Sequence, residues 1–194
     1  MFSAPMRGKG VVLGAWSLAI AGIAAIVVPG AMRGTSATGD IPAELINQPS
    51  PIRFAVYGTP APATTHPDKA VQGGTAVRVV IPGASADPWT IALADPIARP
   101  VRKGDRLVLA FYARVEDGPA VAHIANACVQ RARAPYTIVI GAPVDIGGDW
   151  QLYNVATGSA DADYAGGDLT VSLQLATARQ TLDIGPIYVL DLGR

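Results

Sequence analysis

Along residues 51–194, apolar and polar side chains alternate in short runs that show no helical repeat. Each run is rich in β-branched, aromatic or leucine residues, and turn signals such as Pro82-Gly83 and Gly147-Gly148-Asp149 separate the runs. The pattern predicts nine strands, at residues 53–58, 74–82, 89–94, 105–116, 121–133, 136–141, 150–157, 168–177 and 181–192. Because only two stacked sheets bury the apolar faces of so many strands, we predict an all-β fold, an antiparallel β-sandwich or jelly roll.

The alternation also predicts which side chains of three strands face the core, because successive residues of a strand point to opposite faces. In the run at 105–116 the uniformly apolar set is Leu107, Leu109, Phe111, Ala113 and Val115, and in the run at 168–177 it is Leu169, Val171, Leu173 and Leu175. The run at 121–133 alternates less regularly. If Val129 belongs to the core, the opposite face presents Asn126, Cys128 and Gln130.

The amino-terminal residues have a different character. Arg7 and Lys9 precede the stretch 11–32, which contains no charged side chain. A cationic start followed by an apolar stretch is typical of an export signal, and this stretch is close to the roughly 20 residues that cross a bilayer as a helix. We predict a signal peptide or membrane anchor at residues 1–33, a linker at 34–50 and the sandwich at 51–194. The sandwich is then exported, periplasmic or secreted, and any anchoring in the inner membrane is through residues 11–32 alone.

Charge and cysteine content exclude several classes of function. The chain has 15 basic and 15 acidic side chains, and beyond residue 33 it has 12 basic and 15 acidic ones. A mildly acidic domain lacks the positive surface that supplies affinity for nucleic acid. The single cysteine, Cys128, forms no intramolecular disulfide, and with His66 and His123 as the only histidines we expect no transition-metal site.

Several weak motifs follow one another in a recognisable order. They are GGTAVRV at 73–79, DPW at 87–89, VRKGD at 101–105, LAFYAR at 109–114, APYT at 134–137, DWQLY at 149–153, SLQLATA at 172–178 and LDIGPIYVL at 182–190. This order resembles carbohydrate-binding modules of families 4 and 9, which are galactose-binding-like jelly rolls, and especially the accessory domain before the catalytic barrel of certain proteobacterial family 10 xylanases. The resemblance covers roughly residues 45–194. It implies a β-sandwich whose concave sheet or loop rim binds soluble glycan chains without catalysing a reaction.

Sugar binding requires an aromatic ring to stack on a pyranose and amide groups to pair with its hydroxyls. Trp89 follows Pro88, where its indole lies either at a groove edge or in the core beneath the preceding loop. Tyr112 is predicted on an outer sheet face. Asn126, Gln130 and Gln174 are predicted to face outward as ligand contacts, and for Gln130 and Gln174 the alternative is a cross-strand amide ladder. If their three strands are neighbours in one sheet, Tyr112 and the three amides share a surface.

Catalytic and metal-dependent interpretations have less support. A glycosidase requires two carboxylates across a cleft, and the only glutamates are Glu44 in the linker and Glu116 at a strand end. The resemblance implies that some family members hold a structural calcium near an acidic residue of the last strand, here Asp183. Calcium requires six to eight oxygen ligands, and the sequence suggests only this one, so we expect no cofactor.

These observations predict a noncatalytic carbohydrate-binding module that binds β-linked polysaccharide or oligosaccharide of the xylan or glucan type outside the cytoplasm. The expected partner is a glycan and not a nucleic acid. The alternative is an envelope domain with the same jelly roll that has a structural or protein-interaction role and binds no sugar.

Overall fold

The structure is a computed structural model that describes residues 42–60 and 63–194. The predicted signal or anchor at 1–33, with its helix, and the linker residues up to 41 lie outside the described residues. Within the two described ranges, no helix is both long enough and apolar enough to span a membrane.

The described residues form two five-stranded antiparallel sheets, which confirms the predicted sandwich. One sheet, here called the front sheet, has the order β1-β4-β9-β6-β7, and the other, the back sheet, has the order β2-β3-β10-β5-β8. The strands are β1 (Ala55–Tyr57), β2 (Thr64–Pro67), β3 (Thr75–Ile81), β4 (Ala92–Ile97), β5 (Arg106–Asp117), β6 (Ala122–Arg131), β7 (Ile138–Ile146), β8 (Gln151–Ser159), β9 (Leu169–Gln174) and β10 (Gln180–Asp191).

The core between the sheets includes the side chains that the alternation selected. The predicted inward side chains of β5 and of the run at 168–177 are fully buried, namely Leu107, Leu109, Phe111, Ala113, Leu169, Val171, Leu173 and Leu175. Val115 is partly buried and packs against this core. Full burial of one such aliphatic or aromatic side chain stabilises a fold by about 1.5–3 kcal/mol. Burial of these side chains therefore determines which residues of β5 and β9 face the core and which face outward.

The irregular alternation of β6 has a structural cause. Ile124 pairs with Val144 of β7, but Ala127 pairs with Ala142, so β6 has one more residue than β7 over this interval. This β-bulge lets Ile124 and Ala127 both face the core, although they are three positions apart. Beyond the bulge Val129 is buried as predicted, and the alternate residues of β6 point away from the core.

The sandwich begins before the predicted boundary at residue 51. Leu45 forms a β-bridge with Leu190 of β10, and Asn47 forms one with Ile97 of β4. Both residues and the intervening Ile46 are buried. The end of the predicted linker is thus an ordered segment that connects the two sheets.

Three strands differ from the sequence prediction, and one of them is β7, which was predicted at 136–141 and covers Ile138–Ile146. Strand β2 was not predicted, because its sequence Thr-Thr-His-Pro has no apolar alternation. The strand predicted at 89–94 begins later, since residues Pro88–Thr90 form a 3₁₀ turn that precedes β4. Trp89 therefore lies at the entrance to the front sheet and not within it.

Candidate functional site

The predicted site residues lie on two different sheets. Asn126 and Gln130 of β6 and Gln174 of β9 face outward on the front sheet, whereas Tyr112 of β5 faces outward on the back sheet. The expectation that Tyr112 shares a surface with the three amides is therefore wrong. The outward direction was predicted correctly for all four, but the alternation along a strand contains no information about the sheet to which that strand belongs.

A row of small residues crosses the outer face of the whole front sheet. Ala55 pairs with Ala94, Ala94 with Ser172, Ser172 with Cys128, and Cys128 with Gly141, so each of the five strands contributes one residue. We call this set the floor row. A Cβ atom on Gly141 would lie 2.5 Å from the Cβ atom of Cys128, so the glycine permits the close approach of β6 and β7.

A row of mostly larger side chains stands on either side of the floor row. On one side the Gln174 row pairs Tyr57 with Ala92, Ala92 with Gln174, and Gln174 with Asn126. On the other side the Gln130 row consists of Pro96, Thr170, Gln130 and Ile138. The three rows together define the front groove, which runs across the strands from β1 to β7.

The centre of the floor row lies deep although it faces outward. Cys128 is fully buried and Ser172 is 6% exposed. The Cys128 sulfur lies 3.4 Å from Gln130 Oε1 and 3.6 Å from the Ser172 carbonyl oxygen, and these are the two acceptors for its single S–H proton. Burial raises the pKa of Cys128 to about 12, so this thiol is protonated and is not a nucleophile at neutral pH.

Two exposed aromatic side chains lie at one corner of the front groove. Tyr57, at the end of β1, is 60% exposed, and Trp89 is 59% exposed. Their backbones are adjacent, because a Cβ atom on Gly58 would fall 1.7 Å from the carbonyl oxygen of Thr90. The exposure of Trp89 excludes the core position that the sequence left open. Tyr57 was not among the candidates predicted from the sequence. The signal that could have identified it is its position directly before Gly58, a turn glycine.

The lining of the front groove is uncharged and partly polar. All thirteen residues of the three rows have neutral side chains. The side-chain amides of Asn126 and Gln174 form no hydrogen bond with any other described residue. With adjacent strands about 4.8 Å apart, five strands give the groove a length of about 19 Å. The groove therefore suits an elongated neutral ligand that has many hydroxyl groups.

Tyr112 has a packing role on the back sheet. Its ring meets that of Tyr188 edge-on, with 6.5 Å between the centroids, and it is only partly exposed. A Cβ atom on Gly185 would lie 2.9 Å from the Cβ atom of Tyr112 and 2.6 Å from a methyl group of Val71. Burial raises the pKa of Tyr188 to about 12, which agrees with a packed aromatic pair.

Asp183 lies at the centre of an ion-pair cluster on the same outer face of the back sheet. Its carboxylate is fully buried and accepts hydrogen bonds of 2.8–3.0 Å from the guanidinium groups of Arg78 and Arg114. Burial by itself would raise the pKa of Asp183, but these hydrogen bonds outweigh it and lower the pKa. The pKa of Arg78 is raised by the same contact with Asp183.

The surroundings of Asp183 do not fit a calcium ion. Both carboxylate oxygens already accept guanidinium N–H groups, and the imidazole Nε2 of His66 lies 3.7 Å from Oδ2. Calcium requires six to eight oxygen ligands, whereas the groups closest to Asp183 are positively charged or nitrogen donors. The acidic residue of the last strand thus has arginine partners in this chain.

Comparison with solved structures identifies the fold. The chain is similar to a family 4 carbohydrate-binding module, with a TM-score of 0.55 and 18% identity over 73% of this chain and 96% of that one. It is also similar to the N-terminal cellulose-binding domain of Cellulomonas fimi β-1,4-glucanase C, with a TM-score of 0.54 and 19% identity over 75% and 92%. A third match is the xylan-binding CBM22-1 domain of Paenibacillus barcinonensis Xyn10C, with a TM-score of 0.53 and 12% identity over 78% and 93%.

These matches show that the chain has the fold of carbohydrate-binding modules of families 4 and 22. No protein-family model matches the sequence, and no curated protein is similar to it in sequence. The likeness at this level of identity concerns the fold alone, because one fold can carry many different functions.

Proposed function

We propose that this domain is a noncatalytic carbohydrate-binding module that binds neutral β-linked glycan, of the xylan or glucan type, in the front groove outside the cytoplasm. The observation that carries the proposal is the arrangement of the three rows. A floor of small residues, deepest at Cys128 and Ser172, lies between two rows that contain uncharged polar side chains, and two exposed aromatic residues lie at one corner.

The chemistry of this lining matches a sugar chain. Tyr57 and Trp89 offer ring faces for the apolar C–H face of a pyranose. Asn126 and Gln174 offer amide groups that both donate and accept hydrogen bonds and that have no partner among the described residues. The floor residues are small enough to let a ring lie between the two outer rows.

The open ends of the groove favour the interior of a chain over its terminus. The front sheet ends in the edge strands β1 and β7, and the floor row reaches both of them through Ala55 and Gly141. A ligand longer than about 19 Å then extends beyond the groove at both ends.

The distribution of acidic groups supports a binding role without catalysis. A glycosidase needs two carboxylates on opposite sides of the scissile bond. The three rows of the groove contain no acidic residue, and one group of converging carboxylates, Asp68, Glu116 and Asp183, is paired with arginines on the other sheet.

The proposed location follows from the sequence before the domain. Arg7 and Lys9 precede an uncharged apolar stretch at 11–32, which has the composition of a signal peptide or anchor. Fractionation of cells that express the full chain tests this part of the proposal, with the domain expected in the periplasm, the medium or the membrane fraction. Recovery in the cytoplasm would contradict it.

Affinity electrophoresis and titration calorimetry against xylan, mixed-linkage glucan and their oligosaccharides test the binding role. We expect affinity to rise with oligosaccharide length until the groove is filled and to be much lower for a polyuronate of similar length, because no basic side chain lines the groove. Failure to bind any glycan at millimolar concentration would overturn the proposal. That result would instead support the protein-interaction alternative. A sugar site on the back sheet has less support, because Tyr112 is half-buried.

A further inference from the structure

Three carboxylates from different parts of the chain converge on one nitrogen atom of Arg114. The distances from Nη2 are 2.8 Å to Asp183 Oδ2, 3.0 Å to Glu116 Oε2 and 3.3 Å to Asp68 Oδ2. Asp183 belongs to β10, Glu116 to β5, and Asp68 to the loop after β2. A single positively charged group thus holds together two adjacent strands and a loop of the back sheet.

A second guanidinium completes the cluster. Arg78 of β3 bonds both oxygens of Asp183 at 2.8 and 2.9 Å, and its Nη2 lies 2.8 Å from Glu116 Oε1. Removing one partner from a buried ion pair leaves an uncompensated buried charge and strongly destabilises the fold. Since Asp183 is fully buried, its negative charge requires a cation at this position.

The position of Arg114 is held by further contacts. Its guanidinium lies over the ring of Trp150, 5.2 Å from the centroid, and the indole N–H of Trp150 donates to Asp68 Oδ2 at 3.0 Å. The backbone N–H of Ala70 donates to Asp68 Oδ1 at 2.9 Å. These bonds fix Asp68 next to the guanidinium and lower the pKa of Asp68, the backbone bond most strongly.

Convergence of three carboxylate oxygens on one point is the arrangement that a hard divalent cation such as calcium prefers. We propose that Arg114, with the help of Arg78, occupies the position of a structural cation, so that this domain folds independently of calcium. The same carboxylates become a divalent-cation site when the guanidinium of Arg114 is removed. The inference is independent of the glycan-binding role, because the cluster lies on the other sheet.

A competing possibility is a metal ion alongside the arginines. Ligand atoms of His66, Asp68 and Asp183 lie within 4.8 Å of one another, and both ring nitrogens of His66 are buried without a hydrogen-bond partner. An ion added there would face two guanidinium groups that bind the same carboxylates, which opposes its binding. Calcium and zinc therefore both serve as probes of the unmodified chain.

The test uses thermal unfolding of the full chain and of two variants, each in chelator, in calcium and in zinc. Arg114→Met removes the charge and keeps much of the length of the side chain. Arg106→Met is the matched control, because Arg106 lies on the same strand and the same outer face but is exposed. For the unmodified chain and for R106M, we expect the unfolding temperature to be the same in chelator, in calcium and in zinc. We expect R114M to unfold at a lower temperature in chelator and to regain part of the loss in calcium.

Terbium luminescence gives an independent measurement, since Trp150 is close enough to excite an ion at the position of Arg114. We expect sensitised emission from R114M and none from the unmodified chain or R106M. Arg78→Met provides a milder variant that keeps Arg114 on Trp150 and should show a smaller calcium response. A rise in the unfolding temperature of the unmodified chain with calcium or zinc would overturn the proposal. The proposal would also be overturned if calcium neither raised the unfolding temperature of R114M nor restored its folding.

Discussion

Asn47 donates a hydrogen bond from Nδ2 to the Oδ2 atom of Asp95, at 2.6 Å, in the interior of the sandwich. Asp95 is only 1% exposed and lies on β4 of the front sheet. The same amide donates to the carbonyl of Ile187 and accepts from the N–H of Val189, both on β10 of the back sheet. One asparagine thus links an acidic residue of one sheet to the backbone of the other.

The stability of the domain is expected to fall as the pH rises through the titration of Asp95. Burial raises the pKa of Asp95 to about 6, although the hydrogen bond from Asn47 and the charge of Arg53 act in the opposite direction. Between pH 4 and 6 the folded state holds a proton that the unfolded state has released, so the free energy of unfolding decreases with pH in this window. The accumulated loss above pH 6 is up to about 3 kcal/mol.

The variant Asp95→Asn isolates this contribution, because it resembles the protonated form and does not titrate. Urea unfolding between pH 4 and 8 should give a shallower pH dependence for D95N, and D95N should be the more stable protein at pH 8. Equal pH dependence in the two proteins would show that Asp95 does not titrate in this range.

Replacing Asn47 by alanine is expected to destabilise the fold strongly. The variant leaves the carboxylate of Asp95, a carbonyl and an N–H of β10 without their partner in the interior. We expect the free energy of unfolding to fall by about 2–4 kcal/mol. Asn154→Ala is the matched control, because Asn154 is exposed on β8, and it should change stability by less than about 0.5 kcal/mol. A similar small effect of N47A would contradict the role of this amide.

Most of the fold could be predicted because the strands that build the core alternate regularly. In β5 and β9 every second residue is apolar, and the requirement to bury them determines both faces of each strand. The missed element, β2, contains the polar sequence of Thr64 to Pro67 and is held by pairing with β3. Backbone pairing with a neighbour leaves no periodic signal in the sequence.

The candidate site was predictable only in part, for a related physical reason. The outward direction of Gln130 and Gln174 followed from the alternation. The position of Tyr112 on the other sheet is set by the strand order, and residues far apart in the sequence determine that order. The floor row shows this limitation most clearly. Ala55, Ala94 and Gly141 are unremarkable where they occur in the chain, and they form a continuous row only through the register of five strands.

Aromatic substitutions should distinguish the two outer faces. Tyr57→Ala and Trp89→Ala each remove an exposed ring from the corner of the front groove and should weaken glycan binding by about 1–3 kcal/mol without unfolding the domain. Tyr112→Ala removes a half-buried ring from the back sheet, so it should lower the free energy of unfolding and leave the binding constant unchanged. Calorimetry and thermal unfolding of the three variants measure both quantities. Loss of binding in Y112A alone would place the sugar site on the back sheet.

Filling the floor of the front groove should abolish binding while the fold is retained. In Ala94→Leu the new side chain rises from the middle of β4 between Ala55 and Ser172, into the space proposed for a sugar ring. Because residue 94 faces outward, the larger side chain does not enter the core, and the unfolding temperature should change little. Calorimetry should show at least a tenfold loss of affinity for xylan or glucan oligosaccharides. Asn154→Leu introduces the same side chain on the outer face of the back sheet and should bind as the unmodified chain does. Unchanged affinity in A94L would mean that the ligand does not lie on the floor row, even if Tyr57 and Trp89 contribute to binding.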